Sequence, residues 1–155
     1  MVQPAKVGAG LVLLHLGQVF LVMERQTNLA TGKRAGQYSI PLETSMEGED
    51  PDNPNHTLSR LLNEEVGRDV QLTNLRFIDH FVLFEGRAVA GIFVADFVGA
   101  TALGPLDPEE LEYVGWTPRK VLQTLQWRDG VYDILQSILA KIDVGFPLSS
   151  ANLGT

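Results

Sequence analysis

Two neighbouring carboxylates, Glu64 and Glu65, are the side chains in this sequence whose type and spacing could carry chemistry. They lie in a stretch with helical periodicity, where each residue turns by about 100°, so both project from the same side of a helix. Arg60 precedes Glu64 by one helical turn and can form an ion pair with it. Adjacent carboxylates repel each other unless a cation compensates them, and Mg²⁺ prefers oxygen ligands. The pattern therefore indicates either a divalent-metal site or, as the alternative, a solvated charged helix face.

The helix that carries these residues has recognisable start and stop signals. Asn53 is a favoured N-cap residue, and Pro54 suits the first helical position because its missing N–H has no partner there. The helix is predicted to run to about Val66. Gly67 is predicted to end it in a left-handed conformation.

Apolar runs of strand length flank this helix on both sides, and a second helix follows them. The predicted strands span residues 7–16, 19–23, 38–40, 75–84, 87–97 and 112–116. The predicted loops span residues 24–37, which are polar and cationic, 42–52, which are rich in acids, and 98–105. An amphipathic helix is predicted over 131–142, and about 143–155 are expected to form a loose tail.

Composition narrows the class of protein. A chain of 155 residues with 45% hydrophobic and 20% charged residues is typical of one folded domain, which we expect to span 1–155. The absence of cysteine excludes thiolate nucleophiles and thiolate metal ligands. A net charge of −7 disfavours a nucleic acid polymer as partner. With no signal-peptide pattern and no membrane-length apolar run, we expect a cytoplasmic protein that does not enter a membrane.

The segment Arg60-Leu61-Leu62-Asn63-Glu64-Glu65-Val66-Gly67 resembles the second half of the Nudix box. That pattern reads Gly, five residues, Glu, seven residues, Arg-Glu, an aliphatic residue, any residue, Glu-Glu, any residue, Gly. The matching positions are Arg60, Leu62, Glu64, Glu65 and Gly67. Residues 37–41, Gly48-Glu49 and residues 110–116 are similar to the flanking segments of many Nudix proteins. The resemblance implies a Nudix-type α/β/α sandwich with a mixed β-sheet.

The sequence also departs from the family pattern. Leu61 stands where the family has a glutamate that is a metal ligand, and Met46 stands where it has the loop glutamate. Leu42 and Glu43 replace two glycines. We expect Leu61 to lie on the helix surface between Glu64 and Glu65, so that the central carboxylate of a three-ligand cluster is missing.

The resemblance implies a hydrolase that uses Mg²⁺ or Mn²⁺ to cleave a nucleoside diphosphate derivative or a similar pyrophosphate. Glu64 and Glu65 would be metal ligands that Arg60 orients. The local density of acidic residues adds the hypothesis that Glu47, Glu49 or Glu110 takes the place of the missing carboxylate. The departures leave open a catalytically impaired Nudix-fold module that binds a nucleotide-like ligand or a protein partner. A third alternative is an unrelated α+β protein with a chance match. Dimers are common in the family, which leaves a homodimer open.

Several other side chains have both a functional and a structural interpretation. Arg25, Lys33 and Arg34 either neutralise substrate phosphates or form a solvated loop. Tyr38 either stacks on a nucleobase or packs in the core, whereas core packing is favoured for Trp116. On this basis Arg25, Arg34 and Tyr38 are the predicted substrate-binding residues.

Overall fold

The computed structural model describes residues 6–46 and 54–145, together with the backbone of residues 149–150. In these residues the strands, in chain order, are β1 (Lys6–His15), β2 (Gln18–Glu24), β3 (Tyr38–Ser39), β4 (Leu42–Thr44), β5 (Gly67–Arg68), β6 (Gln71–Leu83), β7 (Ala88–Gly99), β8 (Ala102–Leu103), β9 (Leu111–Pro118) and β10 (Ser149–Ser150). The helices are α1 (Asn55–Leu61) and α2 (Val131–Asp143). Short 3₁₀ helices occupy Leu29–Thr31 and Arg119–Thr124.

Eight of the described strands form one mixed sheet. Six of them lie in the order β10-β6-β7-β1-β2-β3, while β4 pairs with β1 and β9 pairs with β2. β1 and β7 are parallel, and the other pairs are antiparallel. β5 and β8 form a separate two-stranded ribbon. β1 thus holds the centre of the sheet, because β7, β2 and β4 all hydrogen-bond to it.

Side chains of the central strands point alternately to the two faces of the sheet, and each face has its own hydrophobic core. Along β1, Leu11 and Leu13 enter one core and Val12 enters the other, as the period of two in a strand requires. α1 packs into the first core through Leu58 and Leu61. α2 covers the second core with a continuous apolar face made of Val131, Ile134, Leu135, Ile138 and Leu139. The expected α/β/α sandwich with a mixed sheet is confirmed.

The structure corrects several local predictions. The loop expected over 42–52 begins instead as strand β4, because Leu42–Thr44 hydrogen-bonds along β1. α2 ends at Asp143, where the tail was expected to begin, and Asp143 forms a two-pronged ion pair with Arg119 at 2.7 and 2.8 Å. Ser149–Ser150 also pairs with β6. The predicted N-cap, Asn53, lies outside the described residues.

Gly67 does not adopt the predicted left-handed conformation. Its φ of 165° and ψ of −172° describe extended backbone, and the residue begins β5. Glycine is required there for another reason, which is that a Cβ would overlap the carbonyl oxygen of Ala102 on the paired strand β8. The position is fixed by the close approach of two backbones.

In the described part of the chain, no helix has both the length and the apolar character needed to cross a membrane.

Gly67→Ala should lower the free energy of unfolding by about 1–3 kcal/mol, because the added methyl group forces β5 and β8 apart. Gly99→Ala is the matched control: it lies at the end of β7, and a Cβ there meets nothing within 4 Å. Urea denaturation of both variants measures the difference. Equal stability of the two variants would contradict the proposed backbone contact.

Candidate active site

A single π-helical turn, Leu62–Val66, continues α1 and carries both Glu64 and Glu65. The N–H of Gly67 donates to the carbonyl oxygen of Leu62, five residues earlier, which closes this wider turn. Such turns are rare and are frequently found at functional sites. The wider turn also changes the direction of every side chain after Leu61 relative to a regular α-helix.

Leu61 does not lie on the helix surface between the two glutamates, and the expectation that it does is wrong. Its side chain is 0% exposed and packs with Leu58 and Val66 in the core beneath α1. α1 packs on the sheet through a stripe of apolar side chains. Leu61 belongs to this stripe, so its side chain enters the core.

Arg60 links α1 to β4 by contacting two carboxylates at once. Its Nη1 lies 2.9 Å from Oε1 of Glu43 and 3.3 Å from Oε2 of Glu64, so the ion pair expected from the spacing is present. Its Nη2 donates to the carbonyl oxygen of Thr44. The guanidinium therefore holds the strand and the helix at a fixed separation.

Glu65 is more buried than Glu43 and Glu64. Only 7% of the residue is exposed, and its Oε1 accepts a hydrogen bond of 3.2 Å from the backbone N–H of Leu42. Burial, and then repulsion from Glu43, raise the pKa of Glu65 well above its ordinary value of 4.5. Burial and a hydrogen bond to Glu64 likewise raise the pKa of Glu43. The group holds more negative charge than Arg60 neutralises.

Glu43, Glu64 and Glu65 line one cavity, which we call the carboxylate cavity. Its volume is about 170 Å³, and Leu106, Asp107, Glu110 and Leu111 complete its wall. Glu64 and Glu65 thus face a common space although they are adjacent in sequence. The short strand β4 adds Glu43, a residue that the sequence interpretation recorded only as a replaced glycine.

No group of three or more His, Asp or Glu side chains within residues 6–46 and 54–145 is arranged to hold a metal ion. Glu49, a predicted ligand, lies outside the described residues, as does its neighbour Glu47. Mg²⁺ commonly uses one or two carboxylates and completes its shell with water and substrate phosphates. The oxygen donors present, with their excess negative charge, fit a hard cation that arrives together with phosphate.

The other predicted site residues lie at different distances from this cavity. Glu110 lines it and pairs with Lys33 at 3.2 Å. Arg25 is exposed and pairs with Glu112 at 3.0 Å. Arg34 lines a separate surface cavity beside Trp127 and Arg87.

The two aromatic candidates, Tyr38 and Trp116, both pack against core residues. Tyr38 is partly buried against the core that α2 covers. Trp116 packs on Phe20 and Phe97, as predicted, with ring centroids 5.4 and 5.0 Å away. Neither ring lines the carboxylate cavity.

Comparison with solved structures identifies the fold. A Nudix hydrolase from Nitrosomonas europaea matches with a TM-score of 0.69 at 15% identity, over 97% of this chain and 78% of that chain. The fold is that of the Nudix hydrolases. The Nudix domain of Shewanella oneidensis NrtR, complexed with ADP ribose, matches with a TM-score of 0.63 at 13% identity, over 91% and 90% of the two chains.

A third match is part of a larger protein. The bifunctional NMN adenylyltransferase/ADP ribose pyrophosphatase of Francisella tularensis, complexed with AMP and a manganese ion, gives a TM-score of 0.67 at 15% identity. The match covers 90% of this chain and 42% of that one. No family model and no curated protein sequence matches the chain. At these identities the likeness concerns the fold.

Leu61→Glu should fail to restore a family-like metal site, although it restores the family residue. Its carboxylate would enter a dry core, so we expect unfolding to become easier by about 3–5 kcal/mol. Leu61→Met, which keeps the volume, should cost less than about 1.5 kcal/mol. Denaturant unfolding with and without Mg²⁺ tests this. A Leu61→Glu variant that Mg²⁺ stabilises beyond wild type would overturn the assignment of Leu61 to the core.

Glu65→Gln should raise the free energy of unfolding at pH 8 by about 1 kcal/mol or more. Because folding raises the pKa of Glu65, protonation of this carboxyl stabilises the native state. This stabilisation is lost as the pH rises above about 4.5 and through the pKa that Glu65 has in the folded protein. Glutamine cannot ionise and can keep the hydrogen bond from Leu42. Glu109→Gln, on an exposed neighbouring residue, is the control.

The measurement is the midpoint of urea unfolding between pH 4 and pH 9 with a chelator present. A Glu65→Gln profile parallel to that of wild type across this range would show that Glu65 is not the titrating group.

Proposed function

We propose that this protein is a divalent-metal-dependent hydrolase that cleaves a nucleoside diphosphate derivative or a similar pyrophosphate. The observation that supports it is the carboxylate cavity, in which Glu43, Glu64 and Glu65 face one space with a single guanidinium between them. Such a group of charges is stabilised by a further cation, and the fold is one in which pyrophosphatases occur among the neighbours.

Each residue of the cavity has a distinct part in the proposal. Glu64 and Glu65 would hold Mg²⁺ or Mn²⁺, with Glu49 and Glu110 as additional ligands. When bound, the cation supplies charge neutralisation at the pyrophosphate and a lowered pKa of the attacking water. Arg60 orients Glu64 through their ion pair. The N–H of Leu42 fixes one oxygen of Glu65.

Glu43 is suited to accept a proton from water during hydrolysis. A carboxyl whose pKa is raised by burial is a stronger base than an exposed one, and general bases work best when their pKa approaches the working pH. The Arg60 guanidinium holds this carboxyl in place at 2.9 Å.

A small nucleotide-type molecule is the proposed substrate. The NrtR domain is complexed with ADP ribose, and the Francisella protein with AMP and manganese. Arg25, Arg34 and Tyr38 lie away from the carboxylate cavity, so a role for them in binding would concern parts of a substrate that extend beyond the pyrophosphate.

A second candidate function is a binding module without catalysis. It is favoured by Leu61, which is buried in the core and leaves residues 60–67 with one carboxylate fewer than the family pattern. Such a module would keep the cavity and would bind a nucleotide-like ligand, but it would not hydrolyse that ligand.

The proposal predicts metal-dependent turnover in a product-release screen. The panel contains nucleoside diphosphate sugars, dinucleoside polyphosphates and nucleoside triphosphates, each with Mg²⁺ and with Mn²⁺. Glu64→Gln/Glu65→Gln should lower kcat/KM by about 100-fold or more, which corresponds to roughly 2.7 kcal/mol of barrier. Glu109→Gln removes one exposed charge nearby and should change kcat/KM less than twofold.

The outcomes separate the candidates. Turnover that persists in the double variant would reject the site assignment. Ligand binding without turnover in wild type would select the binding module. A Mg²⁺ titration of Glu49→Gln that matches wild type would remove Glu49 from the ligand set.

A further inference from the structure

Two hydroxyl groups join the end of β4 to the first turn of α1. The Oγ of Ser45 and the Oγ1 of Thr57 lie 2.8 Å apart, a normal distance for a hydrogen bond between hydroxyl groups. Ser45 directly follows β4, and its N–H donates to the carbonyl oxygen of Val7 at 2.7 Å, which continues the pairing of β4 with β1. We call the contact between the two side chains the hydroxyl bridge. It connects the central sheet with the helix that leads to Glu64 and Glu65.

Thr57 carries a hydroxyl group that the packing of α1 does not require. The residue is 0% exposed and lies inside the helix. Threonine is a poorer helix former than alanine, and a buried hydroxyl group costs free energy unless it is hydrogen-bonded. An apolar side chain of the same size would fill this space without that cost. The contact with Ser45 therefore gives the hydroxyl group its structural role.

The hydroxyl bridge and Arg60 connect the same two elements. Thr57 and Arg60 lie one helical turn apart on α1, so both project from the face that meets β4. Arg60 contacts Glu43 and the carbonyl oxygen of Thr44, and Ser45 is the next residue along the strand. The end of β4 thus meets α1 through two successive contacts, of which one is charged and the other is neutral.

These two contacts differ in their response to a bound cation. Arg60 also pairs with Glu64 at 3.3 Å, and in the proposed function Glu64 binds Mg²⁺ or Mn²⁺. A carboxylate that ligates a divalent cation attracts a guanidinium less strongly, so the ion pairs of Arg60 would weaken when the cation binds. The hydroxyl bridge has no net charge to be compensated. It is therefore the contact suited to keep Glu43 at a fixed distance from Glu64 both with and without a cation.

We propose that Ser45 and Thr57 are positioning residues, whose hydroxyl bridge holds β4 against α1 so that the glutamates of the carboxylate cavity keep the arrangement that binds a divalent cation. The inference rests on the proposed function and deepens it. Neither residue lines the carboxylate cavity, so both act through the carboxylates and not on a ligand. Replacing residues that orient metal ligands typically lowers metal affinity by about 10- to 100-fold.

Binding of Mn²⁺ alone, followed by the EPR signal of the free ion, tests the proposal without turnover. Thr57→Val removes the hydroxyl group from a side chain of nearly the same shape and should weaken Mn²⁺ binding about tenfold. Thr57→Ser keeps the hydroxyl group and should stay within about twofold of wild type. Ser45→Ala should weaken binding by a similar factor to Thr57→Val. The variant that combines both changes should be no weaker than either alone, because each removes the same contact.

Amide hydrogen exchange provides a second readout that needs no metal. The N–H of Leu42 donates to Glu65 across the gap between β4 and the π-helical turn, so its exchange rate reports whether the strand stays in place. Thr57→Val should accelerate the exchange of this amide about tenfold relative to amides in the centre of β7. Thr57→Ser should leave the exchange rate unchanged.

Thr117→Val is the matched control. It also removes a buried threonine hydroxyl group from a hydrogen bond, there to the carbonyl oxygen of Gly115 within β9, but Thr117 does not line the carboxylate cavity. This variant should lower the free energy of unfolding and leave both readouts at their wild-type values. If Thr57→Val does not fold, Ser45→Ala replaces it, because Ser45 is only partly buried.

A wild-type value of either readout in folded Thr57→Val or Ser45→Ala would overturn the positioning role. Equal losses in Thr57→Ser or in Thr117→Val would overturn it as well, since they would show a general effect of lost stability. Failure of the proposed function is seen separately. If wild type binds no Mn²⁺, the metal site is rejected, and the exchange of Leu42 then decides by itself whether the hydroxyl bridge holds β4 against α1.

Discussion

The ion pairs of Arg60 are the interaction on which the arrangement of this site depends. One guanidinium, with about a fifth of its surface exposed, contacts Glu43 on β4 and Glu64 on the π-helical turn. Without it, two carboxylates next to the buried Glu65 would repel each other across the gap between strand and helix. Because burial makes unpaired charge costly, the contact determines both the separation of the two elements and the shape of the cavity between them.

Arg60 neutralises only part of the negative charge of Glu43, Glu64 and Glu65. Burial is the largest cause that raises the pKa of both Glu43 and Glu65; a hydrogen bond to Glu64 comes next for Glu43, and repulsion from Glu43 comes next for Glu65. In the proposed function, a divalent cation that enters with a phosphate would compete with protons for these carboxylates. Affinity for such a cation should therefore be coupled to pH and to substrate, unlike that of a site with a complete set of protein ligands.

The sequence by itself determined the main strands and helices and the pairing of Arg60 with Glu64, because apolar periodicity and spacing along one helix are local properties. The resemblance to the Nudix box implied the fold class. The sequence did not determine the burial of Leu61, which follows from the way α1 packs on the sheet. Nor did it determine the extended backbone of Gly67, which follows from the close approach of β8. Glu43 is far along the chain from Glu64 and Glu65 and belongs to no motif with them. Only the pairing of β4 with β1 brought these charges together, since burial and charge interaction depend on distance in space.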